Sequence, residues 1–478
     1  MKAPASLTAV AVTAALVVGL AAGEHIGSSA SHGSTIKFIG VAVFISAIFF
    51  RREWRALAAI TGAVVLGLSL GGDVVESMSL SESFPTGARQ VQIEGVLVDD
   101  PGGHPFATSA TIETTRVDGK AVHKRVVLRS AGRDSLRLGA LRMGDRVGAL
   151  ATLSPLDSDD IYDRRSGVVA QAKDAIVHTM RPPTQLHYVA GAVVRERIEA
   201  GASHLLPRDE QLLLGFLLGE TRLIDQPTAA SFRAAGLTHL LAVSGANVAF
   251  VLALVGPLMR RLPTFGRFAV GVGTVIVFAS ATRFEPSVLR AATMALVVML
   301  ARYSGRGVSP GRALAIAVFA LLVHDPLIIH SLGFRLSVVA TVGIVILAKP
   351  IAAAVRWRNP VADALAITVA AEIAVSPMLL IEFGSIPLLA PVANLLAVPV
   401  AEPLTIYGMA MSSIVPSLPR RLGEVLMAPC GWMLSWVRTV ARTIGDIGLT
   451  LDWRGFLCLL AVCAATICWR RKWPVHSQ

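Results

Sequence analysis

The chain has 478 residues, of which 54% are hydrophobic and only 16% are charged, and its formal net charge is +12. A soluble core does not need so much apolar sequence, so the composition excludes an ordinary soluble globular protein and indicates several membrane spans. The net charge alone would fit an anionic partner, but much of it lies in short basic clusters between apolar runs. The positive-inside rule produces such clusters, so we attribute the basic balance mainly to membrane topology.

The sequence shows no pattern of a metal centre, a disulfide framework or a nucleotide-driven motor. The four cysteines, at positions 430, 458, 463 and 468, lack the spacing of a zinc site. No metal-hydrolase spacing occurs among the eleven histidines, and no Walker pattern surrounds Lys120. We therefore expect no metal and no cofactor.

The first 72 residues are predicted to be transmembrane helices. Their apolar runs, at residues 6–23, 36–50 and 55–72, are each close to the roughly 20 residues that cross a bilayer. The first run could imitate a secretory signal, but further spans follow, so we interpret it as an uncleaved span. If the basic cluster at residues 51–55 is cytoplasmic, the amino terminus is inside and the chain after residue 72 is outside.

Residues 73–186 are polar and predict a separate extracytoplasmic β domain. Short alternating segments begin at Val91, Thr111, Lys124, Asp145 and Val168, with Gly, Pro, Asp and Ser between them. This pattern favours a small OB-like β-barrel or a small sandwich. Between residues 85 and 181 there are fourteen Lys and Arg against twelve Asp and Glu, so no strong positive field is evident. We predict a weak, localised basic patch at Lys124, Arg125, Arg129, Arg133 and Arg137.

The rest of the chain is predicted to be helical. Residues 187–236 are interpreted as a linker of amphipathic helices, and residues 237–478 as the main transmembrane domain. The run at residues 422–440 is ambiguous, because its Glu, Trp and Arg side chains would also suit an interfacial helix. If this run crosses the membrane, the chain has twelve transmembrane spans. The predicted fold class is thus mainly α, a polytopic transmembrane helical bundle with a small extracytoplasmic OB-like barrel.

One apolar stretch, residues 232–248, carries four residues that are costly in a bilayer: His239, Ser244, Gly245 and Asn247. On a continuous helix Ser244 and Asn247 share a face, and His239 lies about 80° from Asn247. These side chains could line a cavity or form interhelical hydrogen bonds. Gly245 could allow close helix approach or a local break. No acid completes a triad with His239 and Ser244, so we expect no catalytic site and no enzyme.

Further polar groups interrupt later spans. Arg290 and Arg335 should face the bundle if they lie deep, because an arginine at a helix centre costs about 2.5 to 3.5 kcal/mol. Glu372 is either a counter-charge for one of them or part of a hydrophilic path for an anion. Five prolines between residues 377 and 403 predict either a broken or re-entrant segment or a loop with kinked helices.

Four motifs, in order, resemble those of the ComEC-type competence family. AGLTHLLAVSGANV at residues 235–248 is similar to the AGLxHLLAxSGxxV signature of that family, and EPSVLRAATM at residues 285–294 to its PSVLRA motif. SLGFRLSVVATVGI at residues 331–344 resembles its GFxLS segment. FGSIPLLAPVANLLAVP at residues 383–399 resembles its FGxxxxxxPxANLxxxP stretch.

The resemblance implies an inner-membrane channel for the uptake of single-stranded DNA during natural transformation, with residues 237–478 as the channel domain. Three positions depart from the usual pattern, since Ala246 and Asn247 stand where many members have Leu and His, and Arg335 stands where many have Gln. The candidate DNA-path residues are His239, Ser244, Gly245, Asn247, Arg290, Arg335, Glu372 and Asn394.

The resemblance also implies the location and the partners. We expect a multi-pass protein of the bacterial cytoplasmic membrane that contacts single-stranded DNA and membrane lipids. Its expected protein partners are an external DNA receptor, a separate cytoplasmic ATPase motor and a separate nuclease, because the chain ends without the metallo-β-lactamase-like domain of many members. The alternatives are a transporter of a small anion or lipid-linked solute, and a membrane scaffold whose outer domain recruits partners.

Overall fold

A computed structural model describes residues 5–26, 61, 63–72, 74–75, 90–104, 106–157, 160, 163–164, 166–354 and 360–455. The chain divides into two compact units. The first combines Met1–Arg197 with Ser244–Arg335, and the second combines Ile198–Val243 with Leu336–Gln478. Both units are therefore discontinuous in sequence. The boundaries of the four predicted segments stay a prediction.

Helices dominate the described residues, which confirms the mainly α class. In chain order they are α1 (Ala5–Ile26), α2 (Ala63–Gly72), α3 (Arg133–Gly139), α4 (Leu186–Ala202), α5 (Pro207–Leu218), α6 (Gln226–Ala234), α7 (Thr238–Leu241), α8 (Gly245–Met259), α9 (Thr264–Ala281), α10 (Pro286–Tyr303), α11 (Pro310–His324), α12 (Leu332–Ala354), α13 (Pro360–Phe383), α14 (Ala390–Ile414) and α15 (Arg420–Ile447). Two short 3₁₀ helices, Pro326–His330 and Val415–Ser417, follow α11 and α14.

Five of these helices are long and apolar enough to cross a membrane: α9, α10, α12, α13 and α14. Four shorter apolar helices accompany them, formed by Ala11–Glu24, Ala63–Gly72, Gly245–Met259 and Pro310–His324. Helix α15 is not among the five, although it has 28 residues. The predicted runs at residues 36–50 and 456–468 lie outside the described residues. The chain is a membrane protein with a polytopic helical fold.

The first two helices approach each other through glycines spaced four apart. A Cβ atom on Gly67 would overlap the carbonyl oxygen of Leu16, and one on Gly71 would overlap that of Leu20. Gly19 and Gly23 meet Val64 and Leu68 in the same way. Such small-residue pairs let helix backbones touch inside a membrane, where dispersion contacts replace the hydrophobic effect.

The β domain of the first unit is a closed five-stranded barrel. The described strands of this domain are β1 (Gln90–Leu97), β2 (Gly102–His104), β3 (Ala107–Val117), β4 (Lys120–Ala121), β5 (Arg125–Ala131), β6 (Arg146–Pro155) and β7 (Val168–Arg181). The short strands β2 and β4 pair with β3 outside the barrel circuit. The barrel order is β1, β6, β7, β5 and β3, and β3 pairs back onto β1. Only β5 and β7 run parallel within this circuit.

The barrel forms because its strands alternate buried and exposed residues. Inward positions such as Ile93, Ile112, Leu128 and Leu153 make one apolar core. Helix α3 lies between β5 and β6 in sequence, and its Leu138 belongs to the same core. The five predicted strand segments correspond to β1, β3, β5, β6 and β7, so the OB-like barrel is confirmed in preference to a sandwich.

The proline-rich segment consists of two helices and a short turn. Pro377 lies inside α13, while Pro399 and Pro403 lie inside α14. Between the helices Gly384 takes a left-handed φ of 75°. Two short strands, β8 (Ile386–Pro387) and β9 (Thr450–Leu451), then pair antiparallel. Of the two interpretations, a loop between proline-containing helices is the one observed.

Candidate functional site

The signature segment, residues 235–248, is broken rather than one helix. Helix α7 ends at Leu241, the backbone is extended at Ala242 and Ser244, and α8 begins at Gly245. The angles worked out for a continuous helix therefore do not apply to His239, and the local break that the sequence left open is the one observed. Ser244 takes the N-cap position with an extended backbone, although its hydroxyl makes no capping hydrogen bond to a backbone N–H. The break coincides with the boundary between the two units, so His239 belongs to the second and Ser244 to the first.

Ser244 and Asn247 form a local network in the first turn of α8. The Ser244 hydroxyl donates to Asn247 Oδ1 at 3.0 Å, and the Asn247 backbone N–H donates to the Ser244 carbonyl oxygen at 3.1 Å. Asn247 is only 4% exposed. The two side chains thus fix each other's orientation at the start of the helix.

Gly245 brings the start of α8 against Arg290 of α10. A Cβ atom on Gly245 would lie 2.7 Å from Arg290 Nη2 and 3.0 Å from the Cβ of Ala291. Arg290 is 8% exposed, and its Nη1 donates to Met294 Sδ at 3.2 Å. Of the two alternatives for Gly245, the close approach is thus observed at this residue, and the break lies just before it. Because a helix N-terminus carries partial positive charge, the guanidinium and α8 together favour an anion.

The second and third motifs also meet in the first unit. A Cβ atom on Gly333 of α12 would lie 3.9 Å from Glu285 Oε1, just before α10. Burial raises the pKa of Glu285, although the nearby Arg283 guanidinium opposes the rise. Arg335 is half-buried on the first turn of α12, and its backbone N–H donates to the Ser331 carbonyl oxygen at 3.1 Å.

In the second unit the first motif contacts the fourth. Gly236 takes a φ of 75°, and a Cβ atom there would lie 2.5 Å from the Cβ of Ala390 at the start of α14. Glycine is required at this position both by its conformation and by the close approach. His239 follows on α7 with an exposed side chain.

Glu372 of α13 pairs with an amide. Asn394 Nδ2 of α14 donates to Glu372 Oε1 at 2.9 Å, and the Ser376 hydroxyl donates to the Glu372 carbonyl oxygen at 2.6 Å. Asn394 is 7% exposed, and its Oδ1 has no hydrogen-bond partner in the described part of the chain. Within the second unit the Glu372 side chain is thus bound by an amide, and the choice between a counter-charge and a hydrophilic path stays a prediction.

The predicted basic patch of the barrel is partly neutralised. Arg129 Nη2 lies 2.7 Å from Asp160 Oδ1, and Arg125 Nη2 lies 3.6 Å from Asp325 Oδ2. Arg137 pairs with Asp134 at 3.5 Å but keeps a side chain that is 60% exposed. Arg133 is exposed, and Lys124 is half-buried. The accessible positive charge is thus concentrated on α3, at Arg133 and Arg137.

A buried ionic network in the first unit was not predicted from the sequence. The Asp100 carboxylate, after β1, pairs with Arg195 of α4 and lies 3.2 Å from Arg283 Nη1. Arg195 also donates to the Ala281 carbonyl oxygen at 2.8 and 3.2 Å. Burial alone would raise the pKa of Asp100, but Arg195, the Met143 N–H and Arg283 together lower it. The network joins a barrel loop to the turn at Arg283, where a φ of 60° is strained for a non-glycine residue.

A second buried pair, in the second unit, also joins residues far apart in sequence. Arg438 Nη1 of α15 donates to Asp209 Oδ1 of α5 at 2.6 Å, and both side chains are about one-tenth exposed. The one signal for this pair in the sequence is Arg438 itself, an arginine on an amphipathic helix, and it does not identify Asp209 as the partner.

Within the described ranges, no group of three or more His, Cys, Asp or Glu side chains could hold a metal ion.

The comparisons with known proteins agree with the four motifs. The family model for Competence protein matches residues 216–472, more than half of the chain, and this region contains all four motifs. The chain is 23% identical over 257 residues to ComE operon protein 3 of Bacillus subtilis, covering 53% of this chain and 33% of that protein. It is 27% identical over 296 residues to Competence protein ComA of Neisseria gonorrhoeae, covering 58% and 41% respectively.

A third relative is the uncharacterized protein YcaI of Escherichia coli, 24% identical over 213 residues, with 41% of this chain and 28% of that protein covered. The chain thus spans less than half the length of the curated relatives that it matches. No solved structure matches. On the extent of the family match, this protein belongs to the Competence protein family.

Proposed function

We propose that the chain forms a channel that passes single-stranded DNA inward across the bacterial cytoplasmic membrane during natural transformation. Membership of the Competence protein family supports this proposal, as do the names of two relatives, ComE operon protein 3 and Competence protein ComA. Five helices that are long and apolar enough to span support a multi-pass arrangement.

The observation that carries the proposal is the position of Arg290. Its guanidinium is buried on an apolar helix and lies against Gly245, the first residue of α8. A buried arginine beside a helix N-terminus places two positive groups together, and this arrangement favours an anion electrostatically. A phosphodiester that passes here would receive charge-assisted hydrogen bonds from Arg290 and from the first N–H groups of α8.

The other polar groups would extend this path. Ser244 and Asn247 lie beside Gly245, and Arg335 lies on α12 of the same unit. His239, Glu372 and Asn394 belong to the second unit and stay candidate DNA-path residues on the strength of the sequence alone. At the barrel, Arg133 and Arg137, with Lys124, Arg125 and Arg129 as weaker candidates, would contact the strand before it enters.

Under this proposal the chain performs no covalent chemistry and depends on other proteins. An external receptor would deliver DNA, a separate cytoplasmic ATPase would drive transport and a separate nuclease would degrade the second strand.

Transformation tests the proposal. In a transformable host, Arg290→Gln should lower uptake of labelled DNA and transformation at least about tenfold, because one charge-assisted contact is lost. Arg290→Lys should retain part of the activity. Arg302→Gln is the matched control, since Arg302 is exposed on the same helix. Immunoblots of membrane fractions would verify insertion of each variant.

Two results would contradict the proposal. One is a deletion strain that takes up labelled DNA and transforms as well as its parent. The other is an Arg290→Gln protein that is inserted normally and supports transformation at the same level as Arg302→Gln.

A further inference from the structure

A cavity of about 190 Å³ lies in the second unit, where α5, α6 and α15 meet. Three arginines line it, Arg208 from α5 and both Arg438 and Arg442 from α15, and Gln211 and Thr228 add further polar groups. We call it the arginine cavity. None of the DNA-path residues belongs to it.

Arg438 brings unused hydrogen-bond donors to this cavity. It is 8% exposed, and only its Nη1 is engaged, in the bond to Asp209 Oδ1 at 2.6 Å. A guanidinium has five N–H donors. The other N–H groups of Arg438 bond no residue of the described chain. A buried guanidinium with open donors on a cavity is the arrangement that an oxyanion satisfies.

The net charge at the cavity is also positive. Arg208 and Arg442 are exposed at its mouth. Asp209 offsets Arg438. Asp225, whose Oδ2 is held by the Thr228 N–H at 3.0 Å, lines the same cavity and attracts Arg442. One positive charge of the three is left over. The cavity therefore suits an anion of single charge, such as a phosphodiester.

The surroundings favour a lipid over a nucleic acid as the source of this phosphate. The described lining residues include no aromatic side chain on which a base could stack. Two exposed leucines adjoin the lining in sequence. Leu206 is 62% exposed and lies two residues before Arg208, and Leu223 is 54% exposed and immediately precedes Ile224. Exposed leucines beside a basic cavity are expected where acyl chains adjoin a headgroup.

Helix α15 points to the same conclusion. It is not among the five candidate spans, and neither are α5 and α6. One side of α15 is buried, at residues such as Leu434 and Val437, while Trp432 and Trp436 are 75% and 48% exposed on the other side. Exposed tryptophans mark the membrane–water interface, so α15 suits an interfacial helix.

We propose that the arginine cavity binds the phosphate group of an anionic phospholipid. The phosphate accepts hydrogen bonds from Arg438 inside the cavity and from Arg442 and Arg208 at its mouth, and the acyl chains lie beside Leu206 and Leu223.

Binding by the purified full chain in neutral detergent tests this site. Short-chain phosphatidylglycerol is titrated by calorimetry, with short-chain phosphatidylcholine, sodium phosphate and an oligothymidylate as separate arms. Phosphatidylglycerol should bind saturably, and Arg442→Gln should weaken it about tenfold, since one charge-assisted contact is lost. Arg421→Gln, at an exposed position on the same helix, should bind like the parent.

A second variant tests the contribution of Arg438, inside the cavity. Arg438→Gln alone would leave the Asp209 carboxylate without its partner, so the double variant Asp209→Asn/Arg438→Gln, which neutralises both, is used instead. It should also bind phosphatidylglycerol more weakly than the parent.

The proposal is overturned if phosphatidylcholine binds as well as phosphatidylglycerol, or if Arg442→Gln and Arg421→Gln bind alike. It is also overturned if sodium phosphate or the oligothymidylate binds in an Arg442-dependent way and displaces the lipid.

Discussion

Asp100→Asn is expected to destabilise the first unit by about 3 kcal/mol, the lower end of the cost of breaking a buried ion pair. The side chains of Asp100, Arg195 and Arg283 are 6%, 8% and 11% exposed, so water compensates little of the lost charge. The amide keeps the shape and the acceptor for the Met143 N–H. Arg195 also keeps its bonds to the Ala281 carbonyl oxygen, which is why we choose the lower end of the range.

The assay is thermal unfolding of the purified full chain in detergent as a function of pH. Asp99→Asn is the matched control, because it makes the same change at the neighbouring, exposed position. The pKa of folded Asp100 lies below its ordinary value of 3.8. Its contribution to stability is therefore present above that value and is lost as the pH falls through the folded pKa. The difference between parent and Asp100→Asn should be constant near neutrality and narrow below about pH 4.

Equal unfolding midpoints for Asp100→Asn and Asp99→Asn at pH 7 would refute this reasoning. A difference that widens on acidification would refute the assigned direction of the pKa shift.

The remaining predictions concern close contacts of the helices. Gly245→Leu should displace the Arg290 guanidinium and lower transformation about as much as Arg290→Gln, whereas Gly256→Leu on the same helix meets nothing within 4 Å and should transform normally. Gly67→Leu should cost about 1 to 3 kcal/mol, because it overpacks the α1–α2 contact, and the detergent unfolding midpoint should fall relative to Gly72→Leu, which also meets nothing within 4 Å. Asn394→Leu removes the donor to Glu372 and should destabilise the second unit by about 1 to 3 kcal/mol in the same assay; a midpoint equal to that of the parent would contradict this.

The barrel could be predicted from sequence because its signal is local. Strands such as β1 alternate inward and outward side chains within eight residues, and Gly, Pro and Asp mark the turns. Period-two alternation does not occur in a helix, so the strand segments were recognisable one by one. The apolar spans are recognisable for the same reason, since length and composition are enough.

The sequence offered the break in the signature segment only as one of two alternatives, because Ala242 and Val243 are apolar and fit a span as well as an extended link. Only Ser244 and Gly245 indicate the start of a helix. The glycine is ambiguous, because it fits either a local break or a close approach between helices. The ionic networks were missed for another reason. The partners of Asp100 are Arg195, which lies 95 positions later in the sequence, and Arg283, which lies 183 positions later. No periodicity relates such positions, so the networks appear only when the fold is known.

The pair between Asp209 and Arg438 has a consequence for biosynthesis, because 229 positions separate the two residues. Asp209 leaves the ribosome long before its partner, and a carboxylate cannot be buried alone at acceptable cost. Helix α5 can therefore bury Asp209 with a partner for its charge only after α15 has been made, so this contact of the second unit forms late in synthesis.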